Sequence, residues 1–123
     1  MKYMILTYLD ENAWLALSPE EQERQMNACA PHIEQLLKQK KLLAGAPLHP
    51  TTTATTIKNR DGKRLVLDGP FAETREQLGG YTIIEADDLD DAIAIAAGFI
   101  GESTLPTLEL RPIVDFDGTP VAP

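Results

Sequence analysis

From Lys2 to Leu9 both alternating sets of positions, Tyr3/Ile5/Leu9 and Met4/Leu6/Tyr8, are largely apolar. That pattern predicts a central strand covered on both faces. Ser18-Pro19-Glu20-Glu21 predicts a helix start, with Ser18 as cap, Pro19 in the first turn and Glu21 reaching back to complete a capping box. Met26, Cys29, Ile33, Leu36 and Leu37 then recur at helical spacing and predict one buried face, leaving Glu23, Arg24, Lys38 and Lys40 wet. Pro31 lacks the donor that would bond residue 27, so a kink or break is expected there.

Gly45, Pro47 and Pro50 close that region, and the β-branched run Thr51 to Ile57 predicts a strand. Arg60-Asp61-Gly62-Lys63 separates it from Leu65-Val66-Leu67; Asp-Gly supplies the positive-φ residues of a tight turn, so a hairpin with its tip near Asp61 is expected. Tyr81 to Ala86 reads as a further short strand. Asp87-Asp88 and Asp90-Asp91 then place negative charge at the positive end of a helix, with Leu89, Ala92, Ile93, Ala96 and Ile100 on its buried face and Gly101 as its stop. Leu108, Leu110 and Val114 alternate with polar residues in a closing strand, before a Gly/Pro-containing tail, residues 115–123, that is expected to be loose.

The order predicts an α+β fold: a ferredoxin-like βαββαβ core with an antiparallel sheet, a single domain over residues 1–114, and Thr51 to Leu67 as its hairpin. Helices on one sheet face leave the other to be covered, and a first strand apolar on both sides points to a homodimer packed sheet to sheet.

Composition narrows the function. A chain of 123 residues holds one core. Its net charge of -8 repels phosphate backbones and anionic headgroups, so no direct nucleic-acid partner is expected. No apolar run approaches the ~20 residues of a membrane helix. Cys29 is the single cysteine and cannot close an internal disulfide, and the apolar start turns polar at Thr7 and Asp10, too early for a signal peptide; a cytoplasmic address is expected.

The connection Asp68-Gly69-Pro70-Phe71-Ala72-Glu73-Thr74-Arg75-Glu76-Gln77-Leu78-Gly79-Gly80-Tyr81 concentrates charge and glycine between two strands, where rigid scaffolds tend to carry their chemistry. Thr74-x-x-Gln77 resembles a small capping box and Gly79 a stop, so a single helical turn carrying Arg75 and Glu76 is expected, with Phe71 anchoring the loop to the core. This stretch is similar to the signature of the DGPF-domain branch of the YCII-related proteins. The likeness extends to the first six residues, the Ser-Pro-Glu-Glu helix start and Leu108-Glu-Leu-Arg-Pro112. The family position of Arg75 is often lysine, a point charge where arginine is a fork. The resemblance implies a dimeric α/β-barrel assembly and a family mostly without assigned activity. It also implies a histidine–aspartate site in some branches and kinship with modules associated with extracytoplasmic-function sigma factors.

Asp68, Glu73 and Glu76 are candidate general bases or cation ligands; their competing roles are turn stabilisation, helix-end charge and pairing with Arg75. Arg75 and Tyr81 are candidate substrate-binding residues, Arg75 for an anionic group. His32 lies on the helix where the resemblance implies a histidine, and is otherwise a surface or dimer-contact residue. Trp14, Tyr3 and Tyr8 either line a pocket or pack. Two histidines without ligand spacing and one cysteine in a helix predict neither zinc nor any other cofactor, and Cys29 reads as a small core residue. Gly79-Gly80 lacks the Lys-Ser/Thr of a phosphate loop. Two functions stand side by side: a cofactor-independent enzyme or binder of a small molecule, and a non-enzymatic regulatory module acting on a sigma factor.

Overall fold

The computed structural model describes residues 1–114, so the tail 115–123 lies outside the described residues. The elements run β1 (Lys2–Leu9), α1 (Glu11–Leu15), α2 (Pro19–Asn27), α3 (Ala30–Lys38), β2 (Leu42–Pro47), a 3-10 turn (Thr51–Thr53), β3 (Thr55–Arg60), β4 (Lys63–Asp68), β5 (Gln77–Glu85), α4 (Leu89–Ile100) and β6 (Pro106–Pro112). Four strands form an antiparallel sheet in the order β2-β5-β1-β6, while β3 and β4 form a separate two-stranded sheet. This α+β arrangement is compatible with the ferredoxin-like fold.

The core lies between the helices and one face of the sheet. Tyr3 and Ile5 of β1 and Ile84 of β5 pack with Leu36 of α3 and with Ala92, Ile95 and Ala96 of α4. Burying each large apolar side chain contributes about 1.5–3 kcal/mol. The alternate positions Met4, Leu6 and Tyr8 point to the other face and are only half-buried, so the helices cover β1 on one side. Register places Leu6 opposite Tyr81 and Met4 opposite Ile83, which extends this face into an apolar strip.

The helix expected from Ser18 is two helices. Ser18 does cap α2, accepting from the Glu21 backbone N–H at 3.1 Å, but the Glu21 carboxylate turns to Arg24 and Gln25 rather than back to the cap. Those partners, the Arg24 guanidinium first, hold the Glu21 carboxyl below its usual value. The chain breaks at Ala28–Cys29, just before Pro31, and the break resets the helical phase. Leu36 alone of the expected apolar set is therefore buried, while Met26 is 65% and Leu37 57% exposed. On α4 the buried face runs through Ala92, Ile95 and Ala96; Leu89 and Ile93 lean outward. Asp88 caps this helix by accepting from the Asp91 N–H at 2.8 Å, and Gly101 follows it as expected.

Two corrections concern strands. The second core strand is β2, which the glycine and prolines between Gly45 and Pro50 had marked as the end of an element. An edge strand tolerates both residues, because only one of its sides must pair. The hairpin, whose tip is formed by Asp61 (φ 52°) and Gly62 (φ 75°) as expected, is therefore an insertion outside the core sheet, and Thr51–Thr53 is a 3-10 turn rather than strand.

Candidate functional site

Antiparallel register decides what meets at the lower end of the sheet. Leu9, the last residue of β1, pairs with Gln77, the first of β5, and with Pro106, the first of β6. The residue after Leu9 and those before Gln77 and Pro106 are thereby brought together. Asp10, Arg75, Glu76, Thr104 and Leu105 line one open cleft of about 780 Å³ with Leu17, Gln25, Glu102 and Ser103. A smaller cavity of about 340 Å³ adjoins it, sharing Gln25, Glu102 and Ser103 and reaching Cys29 and Phe99.

The cleft walls are held by hydrogen bonds. Asp10 caps α1 with one carboxylate oxygen, accepting from Asn12 N–H at 2.9 Å and Ala13 N–H at 3.2 Å. Glu76 accepts from the Thr107 hydroxyl at 3.0 Å. Gln77 accepts from the Glu11 N–H at 2.9 Å and donates to the Thr74 carbonyl, while Thr74 donates to the Glu76 carbonyl at 2.6 Å. Glu11 in turn accepts from the Thr51 N–H at 2.9 Å and hydroxyl at 2.8 Å, tying α1 to the segment after β2. Three carboxylates, Asp10, Glu76 and Glu102, thus line the same cleft as one guanidinium, Arg75. The ensemble can accept hydrogen bonds or a proton from a ligand and offer one fork to an anionic group.

The expected site residues separate. Arg75 and Glu76 line the cleft, though no helical turn carries them. Residues 77–80 are strand, since pairing with β1 and β2 takes up the backbone groups a turn would have used, and Gly79-Gly80 therefore ends no helix. Glu73 lies exposed in the same connector and Asp68 exposed at the end of β4, and neither lines the cleft. Phe71 does not anchor the loop, being 88% exposed. Tyr81 stands on β5 between Leu6 and Ala46, on the uncovered face. His32 sits between α3 and α4, its ring 4.8 Å from that of Phe99 in an edge contact. Among the described residues no three His, Cys, Asp or Glu side chains are grouped closely enough to share a metal ion. No helix among them is long and apolar enough to cross a membrane.

Asp10, Gln25, Glu102 and Ser103 escaped the sequence reading. For Asp10 a signal existed: a polar residue directly after the central strand must lie where the neighbouring antiparallel strands begin. Gln25 and Glu102 carried none, because their placement depends on how α2 and the turn after α4 pack.

The family description of the YCII-related domain matches residues 1–117. An uncharacterized protein of Rhizobium meliloti (strain 1021) is similar to this chain, with 38% identity over 114 residues, 92% of each chain.

Proposed function

Because this chain belongs to the YCII-related family, we propose that it binds, and as a cofactor-independent enzyme acts on, a small polar organic molecule held at the end of its sheet. The observation that carries this reading is the convergence of Asp10, Arg75, Glu76 and Glu102 on one cleft. Arg75 receives an anionic group of the ligand; with Asp10, Glu76 and Glu102 lining the same cleft, the ligand also carries donors such as an ammonium or hydroxyls. Glu76, with the Thr107 hydroxyl on one oxygen, is the proton acceptor of choice. Thermal-shift and calorimetric titration with matched pairs, an α-amino acid against its des-amino acid, test this: the member with both charges raises the melting temperature, since a ligand of the native state alone stabilises it. Arg75→Ala should abolish that shift and Glu76→Gln should keep binding while removing turnover. A panel in which no small acid, amine or amino acid binds refutes the reading.

The likeness of Asp68 to Tyr81 to the DGPF branch, and a cytoplasmic address, belong to the same proposal. So does a homodimer packed sheet to sheet, supported by the half-buried strip of Met4, Leu6, Tyr81 and Ile83. A second reading, a regulatory module docking on a sigma factor, is favoured by one observation: Phe71 stands 88% exposed in the middle of the connector. Loss of sigma-factor co-purification on Phe71→Ser would support it; absence of any such partner with the parent would remove it.

A further inference from the structure

The β3–β4 hairpin is bonded to itself and joins neither edge of the main sheet. An isolated two-stranded ribbon is marginally stable in water, and this one carries apolar side chains on both faces among its polar ones. Ile57 and Val66 face each other across the strands, 65% and 63% exposed, and Leu67 lies on the opposite face, 42% exposed. The ribbon leaves the body and returns at a single point, where the Gly69 N–H donates to the Ala54 carbonyl at 2.7 Å and the Thr56 hydroxyl to the Gly69 carbonyl at 2.8 Å. Its charge is opposite to the rest: residues 55–68 hold four basic side chains, Lys58, Arg60, Lys63 and Arg64, against Asp61 and Asp68. With a net charge of -8 for the whole chain, the remainder therefore carries -10.

We infer that this hairpin is an arm that clasps a second copy of the chain. Its apolar pair is buried on the partner's surface, and its basic end lies against the partner's acidic body. A second copy is the occupant that matches both features. The arm of each protomer is complementary to the body of the other, whereas a polyanion drawn to the arm would be repelled by the body behind it. The inference rests on the homodimer proposed above and adds the element that holds it.

Sedimentation equilibrium of the full chain tests it, at low (about 50 mM) and high (about 500 mM) salt, since screening weakens only the charged part of the contact. The parent should dimerise more tightly at low salt. The variant Lys58→Glu/Arg60→Glu/Lys63→Glu/Arg64→Glu should raise the dimer dissociation constant at least about tenfold at low salt and lose most of the salt dependence. Ile57→Ser/Val66→Ser should weaken the dimer at both salts. If the charge variant alters the hairpin itself, excision of residues 55–68 with a Gly-Gly joint between Ala54 and Gly69 replaces it, and should weaken the dimer as much as either. A parent that dimerises while these variants match it overturns the arm and leaves the dimer standing. A parent that stays monomeric at high concentration, even if heparin retains it, overturns both.

Discussion

His32 donates its Nε2 proton to the backbone carbonyl of Ile95 at 2.8 Å, since a carbonyl oxygen can only accept. One turn earlier in the chain, Cys29 donates its thiol to the Phe99 carbonyl at 3.1 Å. Two side chains three residues apart are thus bonded to carbonyls four apart on α4. The α3–α4 contact is a polar seam laid along an apolar core, and it determines how closely the two helices approach.

That approach leaves no room at Gly98, where a Cβ would stand 2.4 Å from the His32 ring. Gly98→Ala should therefore destabilise the fold by about 1–3 kcal/mol in urea unfolding, the cost of overpacking. Removing the ring with His32→Ala should recover part of that loss in the double variant. Strictly additive effects would show that the ring is not what the methyl group meets.

Burial pushes the Cys29 thiol above its ordinary value, and its hydrogen bond engages the proton. Reaction with a thiol reagent at pH 8 should be slower than about a tenth of the rate in denaturant. Equal rates would mean that the α3–α4 seam opens freely.

Tyr3 is 1% exposed, and its hydroxyl has no hydrogen-bond partner among the described residues. A buried hydroxyl without a partner costs about 1–3 kcal/mol, so Tyr3→Phe should leave stability unchanged or raise it by about 1 kcal/mol. A clear loss in the midpoint of unfolding would reveal a bonded hydroxyl.

Asp91 accepts from the Asp87 N–H at 2.9 Å and from Lys41 at 3.2 Å, and these bonds, the Asp87 amide first, hold its carboxyl below the usual value. A carboxyl depressed in the folded state stabilises fully above its ordinary value of about 4 and loses that contribution as pH falls through the folded value. Asp91→Asn should cost about 1 kcal/mol at pH 7 and almost nothing near pH 2. A difference that persists undiminished in acid would place the effect elsewhere.

Local signals sufficed where the chain decides its own geometry. Ser18 and Asp88 cap helices because their side chains satisfy amides three residues away, Asp61-Gly62 turns because of its own dihedral preferences, and Pro31 breaks a helix by lacking a donor. The charge of -8 and the apolar alternation of β1 were equally readable. Only the tertiary structure decided which strands pair. Gly45 and Pro47 look like breakers until β5 supplies a partner along one edge, and Thr74-x-x-Gln77 looks like a cap until β1 claims the backbone of Gln77. The cleft follows from the same cause: Asp10, Glu76 and Leu105 are far apart in sequence, and they line one cleft because antiparallel register at Leu9 brings three chain segments to one end of the sheet, a long-range relation that no local spacing encodes.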